Sequence, residues 1–167
     1  MKNSTFCIGL MSGTSLDGLD ICYVRFDDTQ SFEILEAETI DYQPVLKNKL
    51  QNAYEFSAMD LCEFDINFGY YLGEQVNLFM KKYKINQVDF VASHGQTIFH
   101  QPQNNFTLQI GNGAAIAAKC NQKVICDFRT QDVVLGGQGA PLVPIGDELL
   151  FNQYDACLNL GGFSNIS

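Results

Sequence analysis

Two strand-like stretches, Phe6 to Leu10 and Leu19 to Phe26, flank the loop Met11-Ser12-Gly13-Thr14-Ser15-Leu16-Asp17-Gly18. The second stretch alternates Ile21, Tyr23 and Arg25 against Cys22, Val24 and Phe26, the period of a strand with two unlike faces. The connection is too short for a crossover helix, so the two strands form an antiparallel hairpin. Glycine and small hydroxyl residues let such a loop turn sharply and bring its N–H groups close to a bound group. Successive free amides make a concavity that suits an anion, with the Ser and Thr hydroxyls as further donors. The loop has no lysine, which separates it from the strand-to-helix phosphate loop ending in Lys and Ser/Thr. A plain hairpin, with Asp17-Gly18 supplying only turn geometry, remains open on these residues.

A third strand is expected from Ser31 to Ile40, where Phe32 and Ile34 alternate with acids, giving a three-strand meander. Pro44 can open a short helix through Tyr54. Ser57 is placed as the N-cap of a long amphipathic helix, with Asp60 three residues on. Met59, Cys62, Ile66, Gly69, Tyr70, Gly73, Val76 and Met80 recur there at helical spacing and are read as its core face. Gly69 and Gly73 would let this helix approach a sheet closely. Further strands are expected at Val88–Ser93, Phe106–Ile110 and Lys123–Cys126, with an Ala-rich helix ending at Lys119. Strands alternating with helices favour parallel pairing in this half. The fold expected is α/β: a mixed sheet opening with an antiparallel three-strand meander, with helices packed on it.

Charge narrows the partners. The 167 residues carry a formal net charge of −9, and ten of the nineteen acids fall between Asp27 and Asp65. A field of that sign repels phosphate backbones, which argues against nucleic acid, and a bound polyphosphate would come with a divalent cation. The six cysteines include no C-x-x-C pair, so a reducing cytoplasm is expected over a disulfide or zinc framework. No apolar run reaches membrane-spanning length. A homodimer is left open.

Three clusters could carry chemistry. His94, read as a strand end, shares its loop with Gly95, Gln96 and Thr97, a donor-rich set suited to polyol recognition, with a core histidine satisfied by backbone groups as the alternative. Asp127, Arg129 and Asp132 follow the next strand; Arg offers a fork for carboxylate or phosphate, and a structural Arg–Asp pair is the alternative. The glycine-dense Gly136-Gly137-Gln138-Gly139-Ala140-Pro141 implies close backbone approach to something. Gly111-Asn112-Gly113-Ala114-Ala115-Ile116 imitates a dinucleotide fingerprint, with Ile116 where Gly or Ala should stand, so a dinucleotide-binding oxidoreductase domain is the weaker alternative. The closing stretch, Ala156 to Ser167, repeats the strand–Gly turn–strand grammar of the opening. The expected division is a first domain over 1–153 and the first strands of a second over 154–167.

Five motifs together resemble the anhydro-N-acetylmuramic acid kinase family: Met-Ser-Gly-Thr-Ser-Leu-Asp-Gly-Leu-Asp at 11–20, Ser-His-Gly-Gln-Thr at 93–97, Asp-Phe-Arg-x-x-Asp at 127–132, Gly-Gly-Gln-Gly-Ala-Pro-Leu-Val-Pro at 136–144 and Asn-Leu-Gly-Gly at 159–162. The resemblance implies an actin-like ATPase (ribonuclease H-like) fold of two domains about a cleft. It further implies ATP- and Mg2+-dependent opening of the 1,6-anhydro ring of an amino sugar, with phosphorylation of O6, in peptidoglycan recycling. Carried over by position, Gly13, Thr14, Ser15, Leu16, Asp17, Gly18, Leu19 and Asp20 would form the first ATP-phosphate loop, and Gly161 and Gly162 would begin the second. His94, Gln96, Arg129 and Asp132 would lie on the sugar side. The family's water-activating Asp belongs to a later Asp-Thr-Gly-Pro-like motif that these residues do not contain, so little or no kinase activity is expected of the 167 residues alone. A non-catalytic sugar- or muropeptide-binding domain is the other alternative.

Overall fold

The computed structural model describes residues 4–27, 31–140, 142–160 and 164–167. Strands β1 (Ser4–Ser12), β2 (Leu19–Asp27) and β3 (Phe32–Ile40) form the expected antiparallel meander, with Ser12 opposite Leu19 and Asp20 opposite Thr39. Helix α1 (Pro44–Asn52) runs through a single 3-10 turn into α2 (Ala58–Tyr83). Ser57 caps α2 as its position suggests, its Oγ accepting from the Asp60 amide at 3.2 Å.

The remaining elements are β4 (Phe90–Gln101), β5 (Phe106–Ile110), α3 (Gly113–Cys120), β6 (Val124–Cys126), α4 (Thr130–Val134) and α5 (Leu142–Leu150). A separate two-stranded ladder, β7 (Leu158–Leu160) with β8 (Ser164–Ile166), closes the described chain. In the main sheet the order is β3-β2-β1-β4-β5, with β6 also paired to β4. β4 runs parallel to β1 and to β6. β5 departs from the parallel expectation and pairs antiparallel with β4. The physical reason is the connection: only the short turn Pro102–Asn104 joins the two strands, with Asn105 at φ +58. A parallel partner would need a crossover many residues longer.

That pairing also removes the dinucleotide alternative. The fingerprint requires a parallel βαβ unit, whereas β5 and β6 run in opposite directions and are not paired to each other.

Of the core face its spacing suggests, the long helix buries Gly69, Gly73 and Val76 and packs Met80 against the core, but the rest of the buried stripe is shifted. Its buried residues are Phe64, Phe68, Gly69, Leu72, Gly73, Val76 and Phe79, whereas Met59 is 84% exposed and Ile66 and Tyr70 are also open to solvent. Apolar side chains occur all round this helix, so two faces fit the helical period. The large Phe and Leu residues fill the core, at about 1.5–3 kcal/mol for each fully buried side chain. They meet Ile8, Leu10, Leu19, Ile21 and Val91 from the sheet. Gly69 and Gly73 serve close approach, but to α3 and not to the sheet: a Cβ on Gly69 would lie 2.7 Å from the Asn112 carbonyl oxygen, and one on Gly73 2.7 Å from the Lys119 Cβ.

Candidate functional site

The β1–β2 loop turns on a backbone hydrogen bond from Leu16 N–H to the Gly13 carbonyl at 3.1 Å. Leu16 takes φ +54, a costly conformation for a branched side chain, and its packing against the core holds it there. The Asp17 carboxylate accepts from Ser15 Oγ at 2.7 Å and from the Gly18 amide at 3.1 Å, and these bonds hold its pKa below the usual carboxylate range, the Ser15 bond most. The Thr14 and Ser15 amides have no partner among the described residues. Leu19 is fully buried and anchors the loop's exit, while the exposed Asp20 accepts from Thr39 Oγ1 at 2.6 Å.

Beneath the loop lies a buried polar knot. Ser12 Oγ donates to Gln96 Oε1 at 2.6 Å and accepts from the Tyr42 hydroxyl at 2.6 Å. Ser12 has one proton and gives it to Gln96, so the Tyr42 hydroxyl is the donor to Ser12; burial pushes the Tyr42 pKa up to about 12. The knot ties the end of β1 to β4 and to the segment before α1. Gln96 therefore has its side-chain oxygen committed inside the protein.

His94 is not at a strand end. β4 continues through it to Gln101, with a register shift against β1 between Leu10 and Ser12. Polar residues at 93–97 read as a loop, but Ser93 and Gln96 are buried within the strand. Gly95, at φ +71, permits the irregularity, and a Cβ there would lie 2.5 Å from the Ile110 carbonyl oxygen. The His94 ring sits between two partners: Nδ1 is 2.9 Å from the Gly95 carbonyl, and Nε2 accepts from Arg129 Nε at 2.8 Å. Burial foremost, then the Arg129 charge, pulls the His94 pKa below the ordinary histidine value.

Arg129 also donates through Nη1 to the Gly139 carbonyl. Its partner is thus histidine and backbone, not the aspartate of the structural alternative. Asp132 instead organises the glycine-dense segment, its Oδ2 accepting from the Gly139 amide at 2.7 Å and its carbonyl from the Gly137 amide at 2.8 Å. The close approach implied by those glycines is internal: a Cβ on Gly139 would lie 2.9 Å from His100 Cε1.

Asp20, Met11, His94, Phe128 and Arg129 border one cavity of about 790 Å3, floored by Gly9, Cys22 and Ala92 of the sheet and closed by Leu142 and Val143 of α5. The loop's exit and the His94–Arg129 pair therefore face a common space. Gly161 and Gly162 lie outside the described residues. One organising residue gave no sequence signal: Asp65 of α2 accepts from the Gly111 amide at 2.8 Å and from Asn112 Nδ2 at 3.2 Å. Asn112 in turn caps α3, accepting from the Ala114 and Ala115 amides at 3.1 Å each. The Gly111-Asn112-Gly113 stretch is thus spent on internal bonds.

An antiparallel meander continued by parallel strands, with helices packed on the sheet, is the architecture of an actin-like ATPase domain. A family model for anhydro-N-acetylmuramic acid kinase matches residues 5–167. The chain is 36% identical over 173 residues to the anhydro-N-acetylmuramic acid kinase of Sulfurimonas denitrificans, covering 98% of this chain and 47% of that protein. It is 37% identical over 178 residues to the Pasteurella multocida protein of that name (100% and 47%) and 40% identical over 178 residues to that of Clostridioides difficile (97% and 46%). The chain belongs to the anhydro-N-acetylmuramic acid kinase family, and it spans about half the length of these curated relatives.

Proposed function

We propose that this chain forms the nucleotide-phosphate and sugar-facing half of an ATP-dependent kinase acting on an anhydro amino sugar in cytoplasmic peptidoglycan recycling. The observation that carries the reading is the shared cavity, which joins Asp20 at the exit of the phosphate loop to His94 and Arg129. The β- and γ-phosphates of ATP would rest on the Thr14 and Ser15 amides, with the Thr14 hydroxyl beside them, the Ser15 hydroxyl donated to Asp17, and Gly13, Leu16, Asp17, Gly18 and Leu19 shaping the turn. His94 and Arg129 would face the sugar, with Asp132 holding Gly139 against Arg129 and Gln96 fixing β4 to β1 through Ser12.

Mg2+ would arrive with the nucleotide and supply charge neutralisation of the transferring phosphoryl group. It needs only one or two protein carboxylates, since phosphate oxygens and water complete its shell. The exposed carboxylate of Asp20 fits that demand, and the described residues contain no cluster of three or more acidic, histidine or cysteine ligands that would suggest a dedicated metal cage. Phosphoryl transfer relies on positioning and electrostatic stabilisation. The complete reaction is assigned to a chain of the relatives' length, of which this chain covers about half.

Amide spectra of the labelled chain during titration with Mg-ADP test the first part; shifts confined to the loop and Asp20 are expected. Thr14 and Ser15 signals that stay still while others move would refute it. Sugar-dependent ADP release from a chain of the relatives' length tests the second part. Sugar binding with no ADP release there would favour the non-catalytic sugar-binding alternative.

A further inference from the structure

The two arginines of this acidic chain are treated differently. Arg25, itself half-buried, pairs with Glu33 at 2.9 Å and lies 3.6 Å from Asp27, so its charge is met by carboxylates. Arg129 is half-buried and has no carboxylate partner among the described residues. A neutral ring and a backbone carbonyl take its Nε and Nη1 instead. A guanidinium cannot lose its proton, so a half-buried one that borders a cavity without a carboxylate partner suits an anion that comes and goes.

The imidazole geometry explains how it is held. Arg129 Nε is a donor, so the His94 Nε2 it contacts must be the ring's bare nitrogen. The remaining proton is then on Nδ1, where the Gly95 carbonyl accepts it at 2.9 Å. Each His94 nitrogen has one partner, so the ring has no group left for a ligand. A second proton would abolish the Nε2 acceptor and set two cations against each other.

We propose that His94 is a positioning residue: as the Nδ1–H tautomer it fixes Arg129 so that the Nη2 side of the guanidinium is kept for an anionic group of the ligand, a carboxylate or a phosphate. The acids bordering the cavities at His94 are engaged elsewhere, and Asp132, near Arg129 in sequence, accepts from the Gly139 amide at 2.7 Å. Glu38 of β3 is paired with Lys82, Asp20 of β2 accepts from Thr39, and Asp65 of α2 accepts from Gly111 and Asn112. Asp127 and Cys126, at the end of β6, border the smaller cavity on the far side of His94. The nature of the anion rests on the proposed sugar kinase reading, whereas the tautomer and the hydrogen bond do not.

Side-chain nitrogen spectra of the 15N-labelled chain test the geometry without any ligand. Expected are a proton on His94 Nδ1, a through-hydrogen-bond coupling from Arg129 Nε to His94 Nε2, and loss of that coupling as the ring is protonated in acid. His94→Gln, which keeps an acceptor, should preserve the Arg129 Nε–H signal, and His94→Phe should lose it. A proton on Nε2, or an Arg129 signal unchanged in His94→Phe, overturns the positioning role; should His94→Phe not fold, the wild-type coupling still decides.

For the anion, N-acetylmuramic acid is compared with N-acetylglucosamine, the same ring without the lactyl carboxylate, and with ADP. Movement of the Arg129 signals by N-acetylmuramic acid alone assigns a sugar carboxylate, with affinity falling about tenfold in His94→Phe. Movement by ADP alone assigns a phosphate. Equal movement by N-acetylglucosamine, or none by any of the three, overturns the anion site. Failure at Thr14 and Ser15 would refute the nucleotide reading while leaving the ring measurements intact.

Discussion

Removing the Ser12 hydroxyl should cost more stability than its single oxygen suggests. Ser12, Gln96 and Tyr42 are only 2%, 3% and 6% exposed, so water cannot replace the lost partners. Ser12→Ala leaves Gln96 Oε1 as a buried acceptor without a donor, a penalty of about 1–3 kcal/mol, and takes the acceptor from Tyr42 at about 1 kcal/mol more. Tyr42→Phe leaves the Ser12–Gln96 bond in place and should cost only about 0.5–1.5 kcal/mol. With a urea slope of about 2 kcal/mol per molar, the unfolding midpoint falls by roughly 1–2 M for Ser12→Ala and by about 0.5 M for Tyr42→Phe. Pairing Ser12→Ala with Gln96→Leu removes the orphaned acceptor, so the double variant should be more stable than Ser12→Ala alone. Equal costs for the two single variants, or a double variant less stable than Ser12→Ala, would refute the idea that Ser12 is the hub of the knot.

Gly69→Ala should destabilise by about 1–3 kcal/mol despite the gain in helix propensity, because the new Cβ meets the backbone of α3 at 2.7 Å and the helices must part; thermal unfolding reads this, and a raised melting temperature would contradict the packing. Acid should weaken the fold through His94. Its folded pKa lies below the unfolded one, so the unfolded chain binds the proton first. The stability tied to the neutral ring is complete above about pH 6.5 and falls as pH drops below it. Between pH 7.5 and 5.5 the wild type should lose more urea resistance than His94→Gln, and equal losses in the two proteins would count against the buried neutral ring.

The meander was legible because alternation in β2 and the short loop at 11–18 leave few other arrangements. The capping serine of α2 was legible for the same local reason. What escaped was long-range. The buried face of α2 depends on which of two apolar stripes meets the sheet, and nothing within the helix decides between Phe64–Phe68–Leu72 and Met59–Ile66–Tyr70. The continuation of β4 through Ser-His-Gly-Gln-Thr was hidden because its buried polar residues look like a loop until their partners on β1 and β5 are known. Asp65 was indistinguishable from the solvated acids around it, and only the fold brings it to the amide of Gly111. In the candidate site, residue types and motif spacing pointed to His94 and Arg129, but their mutual hydrogen bond joins residues 35 positions apart.

Among the described residues β3 is the outermost strand on its side of the main sheet, and no strand pairs with its outer edge. Glu33, Glu36 and Glu38 sit along that rim. Glu33 and Glu38 are already paired with Arg25 and Lys82, so Glu36 is the acid that would meet its like as two such backbones began to pair, and it guards this edge against aggregation.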